Sequence, residues 1–377
     1  MARITATVGT VMRKAAVAAV AALLAHGLGV GGAAAQGTSE TFGRMQAMLR
    51  DLGIAVPPVV FSSPAVQRHL DDLARERCDG RAIVRFSQSI AAEGYRREAA
   101  GAHVGFSRLC GGHAPSLRAA ANIYLGIPDE RAAAETASAL IALEPQADNG
   151  YFLRAIAYDR LGDSARAIDD FVSASELFAD KSRISGTSYL AIARHQARLG
   201  RPCDAIQAIE RWTAFQPPRR ESAEVRADLA AYGAKGGCTP AAGRRVEVFA
   251  APKDRAPIRV PASIDAARGS LVVDREASFV VLTGRVAEAA GIAYESEGTV
   301  RVRIAGGAIV EGRRGRAQRI VLRSLEVRDV PVVVRVGKDP GEADGIDGRL
   351  GQSLLARLVV REDSRGLQIS AKNAAAR

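Results

Sequence analysis

The residue of this chain best placed to carry out chemistry is Asp274. It follows the apolar run Ser270-Leu271-Val272-Val273 and opens the turn Arg275-Glu276-Ala277-Ser278, after which a second apolar run extends from Phe279 to Thr283. An Asp where a strand gives way to a turn is commonplace, because its carboxylate accepts hydrogen bonds from nearby backbone amides. Other reactive arrangements are missing from the sequence. Five histidines are scattered without His-Glu-x-x-His spacing, and neither a phosphate-binding glycine loop nor a Gly-x-Ser-x-Gly turn occurs. Cys110-Gly111-Gly112-His113 has ligand-like spacing, but no second pair accompanies it. Hence no metal and no cofactor are expected.

The elements that position Asp274 are strands. From Ile258 onward the chain is a series of short β-branched runs: 258–264, 270–273, 299–304, 308–310, 319–322, 330–336 and 358–361. Gly306-Gly307 predicts a hairpin turn, and two short helices are expected, at 283–290 and 352–357. Arg313, Arg314, Arg316 and Arg319, just beyond that turn, read as a solvated hairpin face.

The preceding half is helical and repetitive. A short helix is expected near 41–52, and Ser63-Pro64 opens another through Arg75, with Ser as N-cap and Pro in the first turn. Ala99, Ala133, Ala167 and Ala205 then follow at spacings of 34, 34 and 38 residues. Five residues before each stands Gly94, Pro128, Gly162 or Gly200; twelve before stands Ser87, Ala121, Ala155 or Ala193. Small residues recurring at both places allow two antiparallel helices to approach closely, with the Gly or Pro as their turn. The extra residues of the last spacing fall near 180–183, between repeats. Cys78 precedes the first helix of the first unit and Cys110 ends its second, so the hairpin brings them together. Cys203 and Cys238 bear the same relation to the last hairpin and a capping helix at 221–235, which predicts two disulfides. By loop-closure entropy each is worth about 3–4 kcal/mol.

Both halves resemble known families. The 34-residue helix-turn-helix period is similar to the tetratricopeptide repeat, and the unit from Tyr151 to Ala179 fits best, with Tyr158, Leu161-Gly162-Asp163 and Ala165-Arg166-Ala167-Ile168. The first unit departs from it at His103, where an apolar residue is usual. That resemblance implies a concave face that takes a protein or peptide partner, including Arg118, Asn122, Asn149, Phe152, Arg194 and Arg198. The C-terminal half resembles retropepsin-type aspartic peptidases, whose turn reads Asp-Thr/Ser-Gly-Ala-Ser/Thr. Asp274, Ala277 and Ser278 match, while Arg275 and Glu276 replace Thr and Gly. Asp347-Gly348-Arg349-Leu350-Gly351-Gln352-Ser353-Leu354-Leu355 matches the supporting segment Asp-Gly-Leu-Leu-Gly-Met-Ser-Phe-Leu at six of nine positions. There Leu350 and Gly351 support the turn, and Arg349 is a further departure.

In that family a lobe carries one catalytic aspartate and works as a homodimer. Two carboxylates about 3 Å apart share one proton and activate water. Arg275 has donors only, so it cannot reproduce a hydroxyl that bonds across the dyad, and Glu276 adds bulk where Gly gives room. The resemblance therefore implies an Asp274 lobe with impaired catalysis; the alternative is an aspartic endopeptidase using Asp274 from each of two subunits.

Composition sets the remaining bounds. At 377 residues, 47% hydrophobic and 25% charged, the chain is long enough for two globular domains. Arg3, Arg13 and Lys14, an alanine-rich apolar run and Ala33-Ala34-Ala35 form the pattern of a secretory signal peptide, too short and interrupted for a membrane span. The net charge is +11, and residues 244–377 contribute +7 of it, from 24 basic and 17 acidic side chains. In an exported chain this is not expected to serve nucleic acid. The expected organisation is an α+β, two-domain protein of the periplasm or exterior. Residues 1–35 form the signal peptide, 36–77 a helical lead-in, 78–238 a tetratricopeptide-like all-α solenoid with its cap, 239–257 a linker and 258–377 a mainly-β retropepsin-like lobe.

Overall fold

A computed structural model describes residues 32–236, 238, 246–252, 257–337, 345–363 and 366–372. The expected signal sequence up to residue 31 and much of the expected linker lie outside the described residues. Among those described, no helix is long and apolar enough to cross a membrane.

Among the described residues eleven α-helices come first: α1 (Gly32–Leu52), α2 (Pro64–Arg75), α3 (Gly80–Ala92), α4 (Arg96–Leu109), α5 (Ala114–Gly126), α6 (Glu130–Leu143), α7 (Asp148–Arg160), α8 (Ser164–Leu177), α9 (Thr187–Arg198), α10 (Pro202–Phe215) and α11 (Ala223–Ala234). Helices α3 to α10 are the four expected hairpins. Ala99, Ala121, Ala133, Ala155, Ala167, Ala193 and Ala205 are all fully buried, and Ser87 nearly so, because they sit where paired helices come closest. Asp79, Asp129 and Asp163 each accept a first-turn amide and so begin α3, α6 and α8. The inserted residues lie between α8 and α9. Cys78 bonds Cys110 and Cys203 bonds Cys238, with Cα atoms 5.7 and 5.4 Å apart, so the first hairpin is closed covalently and the end of the capping helix α11 is tied to the start of α10.

His103 fits the first hairpin by polar packing. Its Nε2 lies 2.8 Å from Ser87 Oγ and its Nδ1 3.3 Å from Ser116 Oγ. Burial, with His113 nearby, pushes its imidazole down to about 4.

The second half comprises β1 (Glu247–Ala250), β2 (Arg259–Ile264), β3 (Ala267–Val273), β4 (Val280–Leu282), α12 (Gly284–Ala290), β5 (Ala293–Tyr294), β6 (Val300–Arg303), β7 (Ile309–Leu322), β8 (Leu325–Arg335), β9 (Gly348–Leu350), α13 (Gln352–Leu355), β10 (Leu358–Asp363) and β11 (Gly366–Ala371). Strands β2, β3, β9, β4, β8 and β7 pair in that order, and β7 pairs back to β2 through Ser263 with Val321 and Ile264 with Ile320, closing a barrel. The pairs β3–β9 and β4–β8 are parallel, which brings the ends of β3 and β9 side by side next to the Asp274 turn. Strand β1, within the stretch read as linker, joins β11 and β10 in a small second sheet. The runs at 308–310 and 319–322 are two parts of the single long strand β7.

The two halves share a core. Phe171, Val172, Ile192 and Ile209 of the repeats pack in one cluster with Phe279, Val281, Val300, Val302, Val310 and Val333 of the lobe. Every residue of α8 from Ala167 to Leu177 is buried. The expectation of a solvated arginine hairpin is corrected for two residues. Arg314 donates to Asp169 of α8, to Glu295 (2.6 Å) and to Ala165 O (3.3 Å). Arg316 joins Asp204 of α10 to Glu295 (2.8 Å). Their side chains alternate with Arg313 and Gly315 along β7, so one face of the strand is the one turned to the repeats. Arg313 lies over the Tyr294 ring at 3.9 Å, and Arg319 is an exposed partner of Glu326.

Two outcomes are expected. Arg314→Met strands the buried Asp169 carboxylate and should cost about 3–5 kcal/mol of unfolding free energy in a urea titration. The buried imidazole of His103 resists protonation, so the unfolded chain binds more protons between pH 6.5 and about 4, and stability falls as pH falls through that window. Between pH 7 and 5 the parent should lose about 2 kcal/mol more than His103→Gln, measured by urea titration at both pH values.

Candidate functional site

The Asp274 turn is built from both ends. The Asp274 N–H donates to Leu350 O (3.0 Å), extending the β3–β9 pairing by one residue. Gln352 N donates to Ala277 O (2.8 Å) and Ser353 N to Ser278 O (3.0 Å). Ser353 Oγ donates to Pro331 O (2.7 Å) and accepts from Val280 N (2.9 Å), tying the turn to β4 and β8. Gly351 has no room for a side chain, since a Cβ there would stand 2.0 Å from Phe279 O. Leu350 and Ala277 are fully buried beneath the turn. The sequence-predicted residues Asp274, Ala277, Ser278, Leu350 and Gly351 thus come together in one small structure.

Asp274 is 1% exposed. Its Oδ1 accepts from Glu276 N (3.1 Å) and Ala277 N (3.0 Å), which fixes the turn. Its Oδ2 accepts from Ala305 N (2.8 Å), at the tip of the β6–β7 hairpin. Arg349 Nη1 lies 3.6 Å from the same oxygen. The hairpin tip, where Gly306 takes a positive φ of 79°, therefore rests directly on the carboxylate.

The replaced motif residues take part in this closure. Glu276 Oε2 accepts from Gly306 N (3.1 Å), a second bond between turn and hairpin tip. Arg275 does not face the acid as the sequence reading supposes: its half-exposed side chain reaches Glu362 of β10 at 3.6 Å, and its carbonyl accepts from Gln352 Nε2 (2.8 Å). The guanidinium beside Asp274 is that of Arg349.

Helix α8 backs the hairpin. Ser278 Oγ donates to Glu176 Oε1 (2.5 Å), Arg301 N of β6 donates to Ser173 Oγ (3.1 Å), and Arg303 donates to Glu176 O (3.2 Å). Arg301 Nε also reaches Tyr151 Oη of α7 (2.7 Å). Beside the turn a cleft of about 490 Å³ opens between Arg275, Glu276 and Ser278 on one wall and Lys181, Arg211 and Phe215 on the other. Burial pushes the Lys181 ammonium below its ordinary value. Asp274 is not among the residues lining this cleft.

The six residues expected on the partner-binding face divide. Asn122, Asn149, Arg194 and Arg198 are exposed. Arg118 lies 3.6 Å from Glu144, and Arg198 3.5 Å from Asp159. Phe152 is half-buried, edge-on to Phe171 with ring centres 6.1 Å apart, beside the shared core.

Sequence reasoning did not find the relay Ser164–His195–Asp159. His195 Nδ1 lies 3.0 Å from Ser164 Oγ and Nε2 3.2 Å from Asp159 Oδ1. Although this order of groups could activate a serine, the α8 amides next to Ser164 are bonded to the Asp163 carboxylate. They offer nothing to a developing oxyanion, and the relay ties α7, α8 and α9 together. Its members lie up to 36 positions apart (159 to 195), so no local motif announces it.

Residues 260–354 match the profile of a family described as aspartyl proteases. With the barrel and the helical hairpins, this gives a retropepsin-like lobe behind a tetratricopeptide-like stack. No curated protein matches the chain. Solved structures of similar fold include a retropepsin-like aspartic protease from Rickettsia conorii, at 20% identity and TM-score 0.28, covering 33% of this chain and 89% of that one. MamA from Desulfovibrio magneticus is similar at 16% identity and TM-score 0.35, covering 49% of this chain and 97% of its own. YrrB, described as a TPR protein with an unusual peptide-binding site, is similar at 13% and 0.36, covering 45% and 84%.

If Asp274 serves the fold, Asp274→Asn should destabilise the protein. An amide nitrogen in place of one oxygen would face a donor, either a turn amide or Ala305 N with Arg349. The expected loss is about 1–3 kcal/mol by equilibrium unfolding, whereas unchanged or higher stability would count against a structural carboxylate.

Proposed function

We propose that this chain is an exported protein-binding scaffold whose retropepsin-like lobe is held closed by its own repeats and does not cleave peptides efficiently. The observation that carries the reading is the state of Asp274: buried, bonded on both oxygens by amides of its own chain and flanked by Arg349. A carboxylate that activates water needs a free face and a second carboxylate within reach. Here the hairpin tip occupies that face. The exposed positions Asn122, Asn149 and Arg194 on the first helices of the hairpins stay available to a partner, because the lobe packs chiefly on α8 and α10. Export is supported by the leader pattern and by the two disulfides, which persist outside the reducing cytoplasm.

A second reading has its own support. The match of residues 260–354 to aspartyl proteases and the bonds from Glu276 N and Ala277 N to Asp274 Oδ1 fit an endopeptidase that works as a homodimer. For that, the hairpin must lift from Asp274 and a second lobe must meet it.

Incubation with an unfolded protein substrate between about pH 3 and 7, which spans the carboxylate range, separates the two. The parent, Asp274→Asn and Arg275→Thr/Glu276→Gly are compared by fragment analysis. Little or no cleavage by the parent is expected. Cleavage by the parent that disappears in Asp274→Asn would establish the peptidase instead, and cleavage only by the double variant would trace the loss to the replaced motif residues.

A further inference from the structure

At the far end of the interface from the hairpin, the repeats and the lobe enclose a cleft of about 700 Å³. The start of α10 and Lys235 line it on the repeat side; Arg316, Arg328, Arg357 and Lys372 line it on the lobe side. Three of its cations are matched within the protein. Arg201 bonds Glu295 (2.8 Å), Arg316 bonds Asp204 and Glu295, and Arg328 bonds Glu326 (2.6 Å).

The others are not. Arg357, largely covered at the base of the cleft, donates to Arg328 O (2.6 Å) and Asp329 O (3.1 Å). With the Gln207 amide oriented to satisfy both its ends, Arg357 Nε and Nη2 also donate to the Gln207 oxygen at 2.8 and 3.1 Å. All of these acceptors are neutral. Among the described residues no carboxylate forms an ion pair with Arg357, and Lys235 and Lys372 are exposed without one. Burial pushes the Arg357 guanidinium below its ordinary value, with Arg316 adding to the effect and the carboxylates of Asp204 and Asp329 opposing it. On the acidic side, Asp204 is held by Arg316 and Glu210 by Arg220 (3.4 Å), which leaves Asp329. Helix α10 also begins in this cleft without a side-chain cap, so its first-turn amides add positive potential, partly offset by Asp204.

We propose that this cleft binds a small multivalent oxyanion, carrying phosphate or carboxylate groups, which bridges the end of the repeat stack and the lobe. Its volume is in the range of small-ligand sites. A guanidinium without an ion-pair partner, flanked by two exposed ammonium groups, suits a compact anion with more than one charged group. The inference is independent of the reading of Asp274. It gives the interface a second fastening that depends on a ligand, beside the fixed Asp169–Arg314–Glu295 contacts.

The test uses the full chain in sodium chloride at constant ionic strength, titrated calorimetrically with sodium pyrophosphate and with citrate, with thermal unfolding in parallel. Saturable binding of either, with a raised Tm, is expected; pyrophosphate alone would identify phosphate as the favoured group and citrate alone carboxylate. Arg357→Gln should raise Kd at least tenfold. Lys235→Gln/Lys372→Gln, which alters only exposed side chains, should do the same without loss of fold. Absence of saturable binding by both anions overturns the proposal, as does unchanged affinity in the double lysine variant. Binding of hexaglutamate but neither small anion would also overturn it, in favour of a peptide ligand.

Discussion

Helix α8 is the element on which this architecture turns. A helix on the surface of a repeat stack ordinarily buries one stripe and solvates the other. Here eleven consecutive residues, Ala167 to Leu177, are covered. The apolar ones pack between α7, α9 and the shared core. Asp169, Ser173 and Glu176, at spacings of four and three, form a polar face aimed at the lobe. Each meets a group of the lobe: Asp169 the Arg314 guanidinium, Ser173 the Arg301 amide, Glu176 the Ser278 hydroxyl. Burying such groups is tolerable only where each finds a partner, and burial still lifts the Asp169 carboxyl above its usual range despite Arg314. Separating the halves would expose apolar surface and break several charge-assisted bonds together, so the lobe and the last two hairpins are coupled as one packed unit.

That coupling reaches Asp274 through two intermediates. One is strand β6, held against α8 along its backbone, which carries the hairpin tip; the other is Ser278, bonded to Glu176 within the motif turn itself. Opening the hairpin would require β6 to move relative to a helix that is itself fixed in the stack. That movement would break bonds to the repeats as well as bonds within the lobe.

Much of this was legible from the chain. The 34-residue spacing of small residues located the hairpins because close helix approach leaves no room for larger side chains, and the disulfides followed from which helix ends a hairpin brings together. Short β-branched runs marked the lobe, and the resemblance of the Asp274 and Leu350-Gly351 segments to a known motif located its centre, where a Cβ at 351 cannot be accommodated. The docking was not legible. Arg314 and Arg316 in a hairpin read as solvated charge, nothing local sets Asp169 and Glu176 apart, and only the meeting of such groups across about 145 residues of sequence (169 to 314) makes a buried network. Short strands such as β5 and β9 have too few residues for a period to register, and β7 was divided by its charged middle.

The departures from the peptidase motif become intelligible in this light. Glycine at position 276 would offer no carboxylate to the Gly306 amide, and an apolar residue at 349 would leave Asp274 without its guanidinium. Arginine at 275, with no acceptor on its side chain, is turned out to Glu362. Each unusual side chain therefore has a partner inside its own chain, and two of the three bind the turn more firmly to the hairpin or to β9. A motif that has merely lost its constraint would be expected to leave such charges in solvent. Glu276 and Arg349 are instead fitted to a closed turn, in which Asp274 is an acceptor for its own fold.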